Sequence, residues 1–146
     1  MENNIRNLIK EVLDSGHLMS LATVDDGGVW VADVIYIFDD DFNIYWMSRP
    51  HRRHSTAIMK NPKVAGTITV SKPGETDLGI QFEGIAEVIK DERHDLLIKY
   101  FQKKKKPLPE EIKNVLDEHF WYLLKPKKIE LIYEKLFGFD KQKLEL

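Results

Sequence analysis

The chain has no cysteine. That excludes disulfides, thiolate catalysis and cysteine-held metal together, and it fits a reducing compartment. No apolar run approaches the roughly 18 residues that span a bilayer. Neither sign of charge dominates, since 22 Lys and Arg stand against 24 Asp and Glu, a formal −2. A chain so balanced has no bulk field to draw it onto nucleic acid or an anionic membrane. There is no Gly-rich dinucleotide loop and no strand–helix–strand repeat, which argues against a doubly wound sheet. The start, Met1-Glu2-Asn3-Asn4, is polar and lacks the apolar run of a signal peptide. These absences predict a single cytoplasmic domain over residues 1–146, with no nucleic-acid or membrane partner.

The residues that are present read mainly as strands. Ile5, Leu8, Ile9, Val12 and Leu13 recur at helical spacing. Ser15-Gly16 closes that helix, with Gly16 expected in the left-handed conformation. Residues 17–24 alternate as a strand, and Asp25-Asp26-Gly27-Gly28 is a hairpin signal. Residues 29–38, rich in β-branched and aromatic side chains, form a second strand. Asp39-Asp40-Asp41 turns the chain into a third strand over 42–47. These three strands predict a meander. A short helix over 51–60, with Ala57, Ile58 and Met59 inward, stops at Asn61-Pro62. Strands follow over 64–70 and 78–90, with Gly84 marking a bulge or bend. Helices are expected over 91–102, with Leu96, Leu97, Tyr100 and Phe101 on one side, and over 107–117. Strand pieces at 120–124 and 128–133 flank Lys125-Pro126, and 136–146 is a final strand or arm. Lys103 to Lys106 reads as a solvated loop. About six strands joined mainly by hairpins predict a mainly β (α+β) fold, a small antiparallel barrel with peripheral helices.

The chemistry concentrates in Trp46-Met47-Ser48-Arg49-Pro50-His51-Arg52-Arg53-His54. There a strand end meets a helix start beside hydroxyl, guanidinium and imidazole groups. Free N–H groups at a helix N-terminus and fixed cations both favour an anion such as a phosphate. Spacing leaves Arg53 open between a surface role and a phosphate contact. Arg49 and Arg52 read as solvent-facing partners of acids. His51 and His54 share a helix face, but no third ligand has clear spacing, so no metal site is assigned. His17 begins a strand, and His94 and His119 fall in helical segments. The acids at Glu110-Glu111 and 39–41 suit helix starts and turns. No general acid, base or nucleophile stands out.

Several segments carry a resemblance. They are Leu21-Ala22-Thr23-Val24-Asp25-Asp26-Gly27 after the first helix, and Arg53-His54 leading to Asn61-Pro62-Lys63-Val64-Ala65. Gln81-Phe82-Glu83-Gly84 and Leu124-Lys125-Pro126-Lys127-Lys128-Ile129-Glu130-Leu131 complete them. In this order, over most of the chain, they resemble the pyridoxamine 5′-phosphate oxidase-like FMN-binding split barrels. Phe137-Gly138-Phe139 resembles a feature of a small bacterial branch of that family.

The resemblance implies a six-stranded antiparallel split β-barrel with peripheral helices. It also implies a homodimer with two FMN sites, each built from both subunits, and flavin-dependent oxidoreductase chemistry on a small-molecule substrate it does not identify. Carried over by position, Ser48, Arg53 and His54 would hold the flavin phosphate, with Met47 beside them. Val31, Ala32, Asp33 and Val34 would run along the isoalloxazine ring, and Gln81 would come from the partner. Flavin would itself carry the hydride or electron chemistry, so no catalytic side chain need stand out. The chain has Arg53-His54 where the true oxidases have an Arg-Lys pair, which makes phosphate binding pH-dependent. Their long substrate-binding C-terminal region has no counterpart here. Two alternatives stay open, since fold does not fix function. One is a haem binder with an axial ligand among the five histidines; the other is a cofactor-free dimeric interaction module. Trp30, Trp46 and Trp121 could stack on the ring, but large aromatics more often pack in a core or interface; that is the expectation for Trp46, and Trp121 is open.

Overall fold

The computed structural model of the chain describes residues 2–110 and 116–146. Its elements are α1 (Glu2–Ser15), β1 (Leu18–Asp25), β2 (Gly28–Ile35), β3 (Ile37–Phe38), β4 (Ile44–Ser48), α2 (Arg53–Lys60), β5 (Lys63–Thr69), β6 (Leu78–Ile89), α3 (His94–Lys104), β7 (Phe120–Tyr133), α4 (Glu134–Phe137) and β8 (Gln142–Glu145). The helix expected over 107–117 lies for the most part outside the described residues.

All the strand pairs are antiparallel, in the order β2-β1-β5-β6-β7-β4-β3. The two ends of that order are consecutive in the chain, separated only by Tyr36. One bent strand therefore serves both edges, and the sheet curls into a split barrel. With β2 and β3 counted as one, six strands build the barrel, and β8 pairs with β7 off that path. This is the α+β split barrel with peripheral helices that was expected. The meander is altered, because the strand expected over 29–38 breaks. Its first part pairs with β1 and its last two residues pair with β4.

Tyr36 makes the break. It is fully buried, and its hydroxyl donates to the Leu13 carbonyl at 2.6 Å. Burial pushes its phenol pKa well above the usual value. Gly16 lies beneath it. A side chain there would collide with the Tyr36 hydroxyl and with Ile68. Gly16 is thus required for space, not for the left-handed conformation expected of it; its φ is not positive. On the other side, Lys103 donates to the Tyr36 carbonyl, and its ammonium sits 3.4 Å from the centre of the Tyr36 ring. Lys99 donates to the Phe38 carbonyl at 3.2 Å. These carbonyls flank the strand break, and α3 supplies their donors. The lysine run is accordingly not a solvated loop throughout. Lys103 and Lys104 lie in the last turn of α3, and Lys105 caps it in the left-handed conformation. Burial pushes the Lys103 amine down to about 8.

Alternation along the strands divides the core in two. Met19, Leu21, Ile44, Trp46, Ile80, Phe82, Tyr122, Leu124, Ile129 and Leu131 fill the barrel, closed by Ile5, Ile9, Val12 and Leu13 of α1. Trp46 stacks on Tyr122 with ring centres 5.8 Å apart. The opposite faces of β4 and β7 give Tyr45, Trp121 and Leu123, which meet Leu96 and Leu97 of α3. Trp46 and Trp121 are therefore both packing residues, and β4 and β7 are apolar on both faces for this reason. Met59, expected inward, is 64% exposed. The buried stripe of α2 is His54, Ser55, Ala57 and Ile58. His119, expected in a helix, sits in the turn before β7.

The two strand pieces expected around Lys125-Pro126 are one continuous strand. The register with β6 shifts there: Glu83 faces Lys128 while Gly84 faces Pro126, so Lys127 is extra. On its other edge β7 pairs with β4 up to Leu124 and with β8 from Lys128. Pro126 falls between these partners, so its missing N–H breaks neither ladder. A side chain at Gly84 would run into the Lys125 carbonyl of the neighbouring strand. Gly84→Ala is therefore expected to destabilise the fold by about 2 kcal/mol, read as a lower urea midpoint with unchanged m-value.

Candidate functional site

Ser48 ends β4 at an inward-facing position, in phase with Ile44 and Trp46. The chain then turns, and α2 delivers His54 and Ser55 back over the same end of the barrel. Ser48, His54 and Ser55 are all buried. His54 Nε2 lies 2.8 Å from Ser48 Oγ, and Ser55 Oγ donates to Ser48 Oγ at 3.1 Å. Ser55 was not anticipated; nothing in its spacing distinguishes it from any other helix serine. Desolvation, reinforced by the Arg52 charge, pushes the His54 pKa below its usual value. The imidazole at this junction is therefore neutral near pH 7. Arg52 occupies the N-cap position of α2 and its side chain makes no capping hydrogen bond. It offers no acceptor for the first-turn N–H groups of α2.

Arg53 does not join this cluster. Its Nε and Nη2 donate to the two carboxylate oxygens of Asp25 at 2.9 and 3.0 Å. Its guanidinium also lies 4.6 Å from the centre of the Trp30 ring. Each member of the ion pair stabilises the charge of the other. Asp25 is held below the usual carboxylate range by the Arg53 hydrogen bonds, and Arg53 is raised by Asp25. Asp25 read only as a turn residue in the sequence. Its partner is 28 residues away, and no local pattern announces the pair.

The other candidates distribute over distinct surfaces. Asp33 and Gln81 lie on one outward row that runs Asp33, Ser20, Thr67, Gln81, Glu130 across five strands. Ser20 donates to Asp33 at 2.6 Å, and Gln81 accepts from Lys141 at 2.8 Å. Val31 is 57% exposed on the same face, paired with Ala22. Ala32 and Val34 point to the opposite face of β2, and Val34 packs against the barrel core. Met47 packs into the cluster beneath α3, on the other face of β4 from Ser48. Within one chain, Ser48 and His54 are brought together. Arg53, Met47 and Gln81 stand apart from them. Arg49 pairs with Asp117 at an exposed 3.5 Å, as a solvent-facing partner should.

The sequence matches the family profile described as pyridoxamine 5′-phosphate oxidase over residues 5–133. The chain belongs to the pyridoxamine 5′-phosphate oxidase family. The UPF0306 protein of Photorhabdus laumondii is 37% identical over 85 residues. That stretch is 57% of this chain and 58% of the relative, so the chain spans just over half the relative's length. General stress protein 26 of Bacillus anthracis has a similar structure, with a TM-score of 0.73 and 20% identity over 98% of this chain and 99% of that one. A heme binding protein of Mycobacterium smegmatis gives 0.73 and 13%, covering 96% and 57%. An F420 reductase gives 0.66 and 19%, covering 82% and 94%. Identities this low show a shared split-barrel fold and nothing finer. Among the described residues, no helix is long and apolar enough to cross a membrane.

The buried imidazole has a consequence for stability. An unfolded histidine binds its proton near pH 6.5, whereas folded His54 does so only at lower pH. Below about pH 6.5 the unfolded state thus holds more protons, and stability falls on acidification. His54→Gln is expected to reduce the loss in urea midpoint between pH 7 and pH 5 relative to the wild type.

Proposed function

We propose that this chain is an FMN-binding redox protein that works as a homodimer. One observation carries the reading: the Ser48–His54–Ser55 cluster sits at a strand-to-helix junction beside the N-terminal turn of α2. The donor set suits a phosphate. Ser48 Oγ already meets His54 Nε2, Ser55 Oγ and the Arg49 carbonyl, so the donors offered first are the uncapped N–H groups at the start of α2. Ser48 and His54 would lie beside the phosphate, Arg53 would reach it only by leaving its pair with Asp25, and the β2 edge would lie along the ring. The bound flavin would supply hydride or electron transfer, and the protein would bind and orient it. Family membership supports this reading.

The exposed edge of β2 supports the dimer. It pairs with β1 on one edge and ends the sheet on the other. Val29 is 70% exposed and Val31 57%, with Leu18 and Val24 of β1 also exposed. An apolar edge strand of this kind is a template for association, and a twofold partner is the commonest cover. A second copy would also bring Gln81 and the outward row of one chain to the site of the other. Light scattering at micromolar concentration should give twice the 17.1 kDa chain mass.

A second reading takes haem as the ligand, supported by the likeness to the heme binding protein of M. smegmatis. It predicts a Soret band on haem titration that one His→Ala substitution removes.

For the leading reading, titration with FMN should quench flavin fluorescence. Arg53→Ala should weaken FMN binding about tenfold, as loss of a charge-assisted contact does, and leave riboflavin nearly unchanged. Arg52→Ala is the control and should change neither. Equal losses for both flavins in Arg53→Ala would assign Arg53 to the fold instead.

A further inference from the structure

Arg53 faces a cleft that neither Ser48 nor His54 lines. That cleft, of about 450 Å³, is bounded by Asp25, Asp26, Gly27, Thr56 and Lys60 beside Arg53. Three contacts from one hairpin hold the guanidinium there. Asp25 takes one edge of it through two hydrogen bonds. Trp30 backs its face. Gly27 comes so close that a side chain there would press on Nη2. The carboxylate is itself fixed by its own turn, because the Gly27 N–H donates to Asp25 Oδ1 at 2.9 Å. The pair is still accessible to water, with Arg53 36% and Asp25 20% exposed.

We propose that Asp25 is a specificity-determining residue that competes with the ligand's phosphate for Arg53. The inference rests on the FMN reading above. Carboxylate and phosphate use the same planar fork of a guanidinium. The pair is bidentate but remains open to water, so solvent screens it and an anion of higher charge than a carboxylate can compete with Asp25 for the guanidinium. A ligand without such an anion leaves Arg53 on the hairpin. The hairpin thereby raises the threshold for recruiting Arg53 and favours phosphorylated over unphosphorylated or merely carboxylated ligands.

The test compares full-length wild type, Asp25→Asn, Arg53→Ala and the double variant, each titrated with FMN and with riboflavin. Asparagine keeps an oxygen for the Gly27 N–H, so the turn is retained. If that variant does not fold, Asp25→Ser takes its place in the same comparison. Asp25→Asn should tighten FMN binding about 1.5- to 5-fold, the range set by exposed ion pairs, with riboflavin unchanged. The gain should vanish in the Arg53→Ala background, which isolates the coupling between the two residues. Unchanged FMN affinity in Asp25→Asn overturns the competition and makes the pair a structural clasp. Weaker FMN binding overturns it too, and makes Asp25 a support that orients Arg53. Absence of flavin binding in both wild type and Asp25→Asn overturns this inference together with the functional reading beneath it.

Discussion

Tyr36 sits where one strand leaves β1 and joins β4, and the rest of the structure is arranged around that transfer. A barrel of this size closes only if its first and last strands meet. Here the chain meets itself through a single buried residue. The break leaves the Tyr36 carbonyl partly buried, and a backbone carbonyl withdrawn from water calls for a donor. Lys103 of α3 supplies it, and Lys99 donates to the Phe38 carbonyl. The Tyr36 hydroxyl in turn takes the Leu13 carbonyl near the end of α1. One residue therefore ties both helices to the seam of the barrel, and Gly16 is glycine because the tyrosine needs the space.

Closure at that point sets the geometry of the candidate site. The phase of β4 is fixed by Trp46 stacking on Tyr122 inside the barrel. Two residues later the same phase turns Ser48 inward, while Met47 goes to the layer under α3. The helix that follows has its own phase. His54 and Ser55 face the barrel, and Arg53, about 100° earlier on the helix, faces the β1–β2 hairpin. Adjacent residues in the sequence thus belong to different surroundings. His54 is desolvated and neutral; Arg53 is partly hydrated and paired.

That divergence explains what was legible. The helix over 2–15, the hairpin at Asp26-Gly27 and most strands of the barrel follow from local periodicity and turn chemistry. The bulge was legible from Gly84, because a lone glycine in a strand marks close backbone approach. The break at Tyr36 was not, since residues 29–38 are uniformly good strand formers. The continuity of β7 through Pro126 was hidden as well, because it depends on which strands pair with β7 on either side. Ser48 and His54, both carried over from the family resemblance, do come together in the structure. The contacts of Asp25 with Arg53 and of Ser55 with Ser48 were not legible, because the first spans 28 residues and the second joins two ordinary serines.

The sequence by itself determined where most of the strands and helices fall and that strands dominate. These depend on spacings of two to four residues and on turn residues with fixed backbone preferences. Only the tertiary structure decided which side chains meet. It joined Ser48 to His54, drew Arg53 to Asp25 and Trp30, carried Met47 to the far face of β4, and set Gln81 on the outer surface. Those outcomes depend on strand phase and on the approach of elements tens of residues apart. A hydrogen bond or an ion pair is decided at 3 Å, a distance that sequence spacing does not specify.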